Sequence, residues 1–175
     1  TVGIWDMPQG DRWYYLSMRS NLGLDIDPKS IHEFGQSEIK RIWKEIETLA
    51  KRHHKKDARA WLNELMKTKT FKNKEAMMQV FTNVLKSADL ALPNFFSLLP
   101  KTNYEVLPMQ SYKEKDSPAA YYFSPAVDGI RKGVFYVNTF LPEIRETFTA
   151  KVLAFHEAVP GHHLQIAIAQ EVQDI

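Results

Sequence analysis

The stretch that decides the fold of this 175-residue chain reads His156-Glu157-Ala158-Val159-Pro160-Gly161-His162-His163. Three of the six histidines of the chain lie within it, together with one carboxylate. Neutral imidazole is a good zinc ligand, and a glutamate beside it can take a proton from a metal-bound water. Apolar residues at positions 152, 153 and 155 precede the stretch and indicate a helix. The sequence therefore predicts a metal site carried on a helix.

The spacing of these histidines differs from that of a regular zinc-binding helix. In the pattern H-E-x-x-H, two histidines lie about one turn apart on one face of a helix, with the glutamate beside them. Here the position four residues after His156 is Pro160. Proline lacks an amide donor and clashes with the preceding turn, and the missing Cβ of Gly161 makes a distortion easier. We therefore predict that the helix kinks, bulges or restarts at Pro160-Gly161.

The second zinc ligand is either His162 or His163. On a straight helix, seven residues return His163 to within roughly 20° of the face of His156, although roughly 10 Å further along the axis. His162 points well away from that face on the same straight helix. A bulge could bring either one back, and we favour His163 because it starts on the correct face. The alternative, solvated surface pairs of His-Glu and His-His, gives no reason for Pro and Gly inside the cluster.

The segment H-E-A-V-P-G-H-H-L-Q at residues 156–165 resembles the signature of a large bacterial family known as domain of unknown function 885. Further segments resemble the same family: Gly3-Ile4-Trp5 with Gly10-Asp11, residues 31–35 (I-H-E-F-G) leading into 38–42 (E-I-K-R-I), residues 119–122 (A-A-Y-Y) and residues 133–139 (G-V-F-Y-V-N-T). The resemblance implies a mostly helical, zincin-like metallohydrolase that is often called a peptidase. It also implies a periplasmic or otherwise exported protein, such as a lipoprotein, from a Gram-negative bacterium.

The third zinc ligand is expected from outside this chain. The resembled family has a downstream Glu-Gly-Trp-type motif that could supply a glutamate, and no such motif follows His163 here. Glu171 and Asp174 are the carboxylates close behind the histidines, and Glu171 is too far along the helix axis to close the site. The chain therefore reads as a fragment of a larger protein, with a third ligand expected beyond Ile175. Alone, it should bind zinc weakly.

Composition and charge narrow the class of protein. The chain is 44% hydrophobic and 25% charged, which is ordinary for one soluble globular domain with a core. The formal net charge of +2 is too small to argue for a nucleic-acid partner. The sequence has no apolar run long enough to span a bilayer. It has no cysteine, which excludes disulfides and thiolate metal ligands.

The chain predicts an α+β fold that is mostly helical, zincin-like, with a small antiparallel sheet before the histidine-bearing helix. We expect one domain over 1–175, in which 1–100 is helical, 101–141 forms the sheet and 142–175 carries the histidines. Asp27-Pro28 should start a long amphipathic helix that ends near Arg52, and Asp57 and Asn73 should precede two more helices. Strands are predicted around 104–107, 119–123 and 134–139, the last being the clearest.

The strand at 134–139 is a candidate edge strand to which an extended peptide substrate could add through backbone hydrogen bonds. A plain hairpin covering the core is the alternative. Tyr121, Tyr122 and Tyr136 are candidate substrate-binding residues, since a phenol can stabilise an oxyanion, although such residues are also common packing aromatics. Asn138 is a further candidate for substrate binding.

A four-helix interaction domain with an incidental histidine cluster does not explain why Pro and Gly lie inside the cluster, which leaves two competing functions. The first is a zinc-dependent metallopeptidase in which His156 and one of His162 and His163 bind zinc and Glu157 is the general base. The second is a non-catalytic zincin-like binding module, which the absence of a histidine at position 160 favours. Glu157 argues for the enzyme, because a purely structural metal site has no need of a general base.

Overall fold

The computed structural model describes residues 3–172, and the chain divides into two units, Thr1–Trp61 and Leu62–Ile175. The α-helices are α1 (Gly10–Leu22), α2 (Pro28–Arg52), α3 (Ala58–Thr68), α4 (Lys74–Ala91), α5 (Ser111–Glu114), α6 (Ala150–Glu157) and α7 (His162–Glu171). The strands are β1 (Tyr104–Pro108), β2 (Ala120–Phe123) and β3 (Gly133–Val137). Among the described residues, the helices α1 to α4 lie before residue 100, the strands lie between 104 and 137, and the histidine-bearing helices α6 and α7 follow. A single domain over 1–175 stays a prediction.

Side-chain caps fix the helix starts that the sequence predicts. The Asp27 carboxylate accepts a hydrogen bond from the Ser30 amide at 3.0 Å, and Pro28 is the first residue of α2. The Asp57 carboxylate accepts from the Arg59 and Ala60 amides at the start of α3. The Asn73 side chain accepts from the Ala76 amide at 2.8 Å. Each cap satisfies an amide that has no partner within its own helix.

The two long helices differ in what covers their apolar residues. In α4, four residues at helical spacing are buried: Met77, Phe81, Leu85 and Ala88. In α2, by contrast, Ala50 is the buried residue, and Phe34, Ile39 and Ile42 are exposed. The apolar pattern predicts both helices correctly, but it shows which side of a helix is apolar rather than what packs there. No helix within residues 3–172 combines the length and the apolar character that a bilayer span requires.

The sheet is mixed, with the strand order β1-β3-β2, and this corrects the prediction of an antiparallel sheet. β2 pairs with β3 in antiparallel fashion, whereas β1 pairs with β3 in parallel. The strand pattern alone does not show that β3 inserts between the first two strands. β1 and β3 run in the same direction, and β2 runs in the opposite direction. β3 is therefore the central strand of the described sheet, not the edge strand for which it was a candidate.

A shared core joins the sheet to the helices that carry the histidines. Phe135 of β3 is fully buried and meets Phe81 of α4 edge to face, with ring centroids 5.5 Å apart. Ala154 of α6 and Leu164 of α7 belong to the same cluster of buried residues. The run G-V-F-Y-V of β3 is almost continuously apolar, which is typical of a strand covered on both faces. The prediction that this strand packs near the histidine segment is confirmed.

A buried polar network holds the chain where it leaves β3. The Thr139 hydroxyl donates to a Glu114 carboxylate oxygen at 2.6 Å, and Lys74 lies 3.4 Å from the other oxygen. The Thr139 hydrogen bond lowers the pKa of Glu114, burial works against it, and Lys74 adds to the lowering. The Glu114 residue is only 4% exposed. An ionised carboxylate is therefore kept inside the unit by neighbours that favour its charged form.

We expect Thr139→Val to lower the free energy of unfolding by about 1.5–3 kcal/mol at neutral pH, because a buried carboxylate loses a charge-assisted hydrogen bond. Since the folded-state pKa of Glu114 lies below its unfolded value, its contribution is present above the unfolded pKa and is lost as pH falls through the folded pKa. The variant should show a smaller loss over that acidic range. Urea unfolding across pH measures both effects.

The control for this substitution is Thr149→Val. The exposed Thr149 hydroxyl donates only to the Glu146 carbonyl at 2.9 Å, so its removal should change stability by less than about 0.5 kcal/mol. Equal losses in the two variants would contradict a special role for the buried carboxylate.

Candidate metal centre

The helix that leads into the histidine stretch breaks where the sequence predicts. α6 ends at Glu157 and α7 begins at His162, with Ala158–Gly161 outside both helices. The break is held by backbone hydrogen bonds from the His163 amide to the Ala158 carbonyl at 2.9 Å and from the Gln165 amide to the Gly161 carbonyl at 3.1 Å. The predicted interruption at Pro160-Gly161 is confirmed.

Gly161 allows the two helix ends to approach closely. A Cβ at this position would lie 1.9 Å from the His156 carbonyl oxygen and 2.4 Å from the Phe155 carbonyl oxygen. Both atoms belong to the backbone of α6, so neither can move aside as a flexible side chain could. Residue 161 must therefore be glycine for the chain to turn back against the end of α6.

This close approach brings His162 to His156. The two imidazole centroids are 4.7 Å apart with planes at 78°. Potential ligand atoms of His156, Glu157 and His162 all lie within 4.8 Å of one another. His156 is exposed, and the other two side chains are half-buried. Two imidazoles and a carboxylate thus converge on one point that solvent can reach.

None of the described residues 3–172 makes a hydrogen bond or ion pair with the side chains of this triad, His156, Glu157 and His162. Elsewhere in that part of the chain, every fully buried side-chain nitrogen and oxygen has a hydrogen-bond partner. The triad therefore keeps its lone pairs free for a ligand. The two imidazoles are donors that suit zinc, and the carboxylate lies beside them.

His163, which we favoured as the second ligand, does not join the triad. It is 2% exposed, and its Nδ1 lies 2.7 Å from the Tyr122 hydroxyl. The preference for His163 assumed that side chains keep the directions they have on one straight helix. α7 is instead a new helix, and the turn at Ala158–Gly161 sets the directions of its side chains. The restart turns position 162 towards His156 and position 163 into the core.

Burial lowers the pKa of His163, while a hydrogen bond with the Thr102 backbone and the charge of Glu171 oppose this shift. The ring of Tyr104, a residue that the sequence analysis did not single out, lies 4.7 Å from the His163 ring. Its signal in the sequence was only that of an aromatic strand residue. His163 is thus an enclosed imidazole whose burial disfavours its charged form, in contrast to the open pair beside it.

Glu171 lies outside the triad, as expected from its distance along α7. Its carboxylate accepts hydrogen bonds from the Lys101 and Thr102 amides at 2.7 and 3.2 Å. It therefore ties the end of α7 to the chain before β1. Asp174, the other nearby carboxylate, lies outside the described residues.

Of the three candidate tyrosines, Tyr122 lies beside the histidines. Its ring centroid is 5.7 Å from that of His163 and 6.5 Å from that of His162, and burial raises its pKa to about 12. Tyr121 and Tyr136 instead form a cross-strand pair with ring centroids 5.1 Å apart. Successive strand residues point to opposite faces, so this pair lies on the face away from Tyr122.

Asn138, a predicted substrate-binding residue, is fully buried and uses its polar atoms inside the fold. Its side-chain nitrogen donates to the carbonyls of Glu114, Ser117 and Pro118. Its side-chain oxygen accepts from the Phe140 amide at 3.0 Å. This geometry makes Asn138 a support for the backbone after β3 and leaves it no surface for a substrate.

Fold and site together define a mostly helical protein with a small mixed sheet and a histidine–glutamate triad at a helix break. The chain belongs to the family described as "Bacterial protein of unknown function (DUF885)", whose model matches residues 2–175.

The solved structure titled "The crystal structure of the putative lipoprotein from Colwellia psychrerythraea" is similar to this chain, with a TM-score of 0.89 and 25% identity. The match covers 97% of this chain and 30% of that one. A comparison with curated proteins gives no match.

We expect Gly161→Ala to lower the free energy of unfolding by about 1–3 kcal/mol, because the added methyl group overlaps backbone atoms of α6. The separation of His156 and His162 should change with it. The control is Gly35→Ala in α2, where an added Cβ meets nothing within 4 Å and should stabilise the helix by about 0.5–1 kcal/mol. Urea unfolding of the two variants checks both signs, and a stable Gly161→Ala protein would contradict the packing argument.

Proposed function

We propose that this protein is a zinc-dependent hydrolase, and specifically a metallopeptidase. The observation that carries the proposal is the convergence of His156, Glu157 and His162 within 4.8 Å, with no other polar partner among residues 3–172. A glutamate next in sequence to a ligand histidine is the arrangement of the H-E-x-x-H metalloproteases, in which the glutamate is the general base. Family membership is compatible with this activity but does not define one.

In the proposed site, His156 and His162 would hold a zinc ion through ring nitrogens. Zinc, when bound, supplies a Lewis acid that polarises a carbonyl and acidifies a coordinated water. Glu157, half-buried beside the open imidazole of His156, accepts the proton of the attacking water and returns it to the leaving amine. Catalytic zinc sites normally have three protein ligands, so the proposal requires one more ligand in addition to the two histidines.

The position of β2 supports a peptide as the substrate. β2 is an edge strand of the sheet formed by residues 3–172, and its residue Tyr122 contacts both His162 and His163. An extended peptide can add to such an edge through backbone hydrogen bonds, which would carry it past the triad. In this proposal the substrate peptide adds to β2 and not to β3, which was the candidate from the sequence.

The catalytic assignment is tested with Glu157→Gln in the full-length protein. Glutamine keeps the shape of the side chain but cannot accept a proton, so turnover of a peptide library should fall by about 10²–10⁴ while bound zinc is retained. The exposed Glu143 gives the control, since Glu143→Gln should leave turnover unchanged. Unchanged turnover in Glu157→Gln would overturn Glu157 as the general base, whereas zinc binding without any turnover in the unsubstituted protein would favour the non-catalytic binding module instead.

The metal assignment is tested separately by zinc titration of His156→Ala and His162→Ala. Each should lower zinc affinity by more than the 10–100-fold that loss of a supporting residue typically causes, because each removes a direct ligand. The control is His53→Ala, since His53 lies against Trp61 with ring centroids 5.2 Å apart and is not part of the triad. If zinc affinity is the same in all three variants, the triad is not the metal site.

We also propose that the protein is exported, which membership of a bacterial family and the similarity to a lipoprotein from Colwellia psychrerythraea support. Fractionation of the native bacterium, with recovery of the protein in the periplasm or membrane fraction, tests this. Recovery with the cytoplasmic proteins would contradict it.

A further inference from the structure

His163 and Tyr122 are polar side chains beside the triad that the proposed reaction does not use. His163 is 2% exposed and is packed between Tyr104 of β1 and Tyr122 of β2. We propose that Tyr122 and His163 are a positioning pair, which fixes the first turn of α7 and thereby points the imidazole of His162 at His156. The inference rests on the proposed metal centre for its function, but the geometry it describes can be measured without metal.

The hydrogen bond between Tyr122 and His163 needs one donor and one acceptor. The Tyr122 hydroxyl oxygen and the Nδ1 of His163 lie 2.7 Å apart. A neutral imidazole has one nitrogen that donates and one that accepts, and in the proposed pair Nδ1 is the acceptor. The phenol therefore donates its proton to His163. It cannot donate the same proton to a substrate oxyanion, which changes the role that the sequence suggested for Tyr122.

The hydroxyl of Tyr122 is held in place by the start of β3. A Cβ on Gly133 would lie 2.1 Å from the Tyr122 hydroxyl oxygen and 2.8 Å from the adjacent ring carbon. The phenol thus occupies the space that a side chain at 133 would need. With the Tyr104 ring on its other side, His163 is fixed by both outer strands of the described sheet.

His162 and His163 are the first two residues of α7, so fixing one of them fixes the direction of the other. The ring of Tyr122 also lies nearly parallel to that of His162, with an interplanar angle of 21°. The pair therefore acts on His162 through the backbone and through ring packing. Supporting residues of this kind typically contribute 10–100-fold to metal affinity.

The test is Tyr122→Phe in the full-length protein, which removes the hydroxyl and keeps the ring. Histidine ring 1H–15N spectra of the metal-free protein should show His163 as the Nε2–H tautomer, and the His162 signals should shift or broaden in Tyr122→Phe. Zinc affinity should fall by about 10–100-fold. The matched control is Tyr121→Phe, the same change on the opposite face of β2, which should alter neither the His162 signals nor the zinc affinity.

A second pair of variants tests the histidine. The side-chain oxygen of asparagine can replace Nδ1 as the acceptor for Tyr122, so His163→Asn should retain most of the zinc affinity. His163→Leu has a similar volume but no acceptor, and should behave like Tyr122→Phe or worse. These two His163 variants also test the positioning role if the Tyr122→Phe protein does not fold.

The outcomes separate this inference from the proposed function. Unchanged His162 signals in Tyr122→Phe, or equal zinc affinities for His163→Asn and His163→Leu, would overturn the positioning pair. A protein without zinc affinity but with the predicted changes in the His162 signals would overturn the metal centre and support the pair.

Discussion

The contact between Gly161 and the backbone carbonyls of Phe155 and His156 is the constraint on which the candidate site depends. It is a contact of main chain against main chain, which only a residue without a Cβ can make. It lets α7 start beside the end of α6 instead of continuing its axis. Two histidines that would point in different directions on one straight helix therefore come together with a glutamate between them in sequence.

The same break explains why adjacent histidines have opposite environments. Successive residues at a helix start point about 100° apart, so one can face the solvent-accessible end of α6 while the next enters the core. His163 points into the core, where its Nδ1 is hydrogen-bonded to the Tyr122 hydroxyl. His162, by contrast, has no hydrogen bond from its ring nitrogens to any protein group within residues 3–172. A single backbone turn thus separates an imidazole that is open to solvent from one that is enclosed in the core.

The sequence predicts the elements of this fold better than their arrangement. Caps at Asp27 and Asp57 are local, since each side chain bonds an amide three residues away, and both are read directly from the sequence. The pairing of β3 between β1 and β2 is not local, and no strand pattern specifies it. The exposure of Phe34 in α2 is a further example, because periodicity identifies an apolar side but not the surface that covers it.

The candidate site likewise has features that the sequence predicts and features that it does not. The residue types needed for zinc chemistry, and the break at Pro160-Gly161, follow from the sequence because each depends on the properties of single residues. The choice between His162 and His163 does not, because it depends on how far the turn rotates α7 relative to α6. That rotation is fixed by contacts with distant segments, namely Tyr122 on β2, Tyr104 on β1 and the Glu171 link to the chain before β1.

The burial of His163 is therefore a consequence of the sheet as much as of the helix. Its ring is enclosed by residues that lie 41 and 59 positions earlier in the chain, Tyr122 and Tyr104. Such long-range contacts form only when the sheet and α7 are both in place, so the direction of His162 is a property of the folded unit and not of the histidine stretch. It follows that an isolated peptide containing residues 156–163 has the donor atoms of the triad but lacks the contacts that orient them.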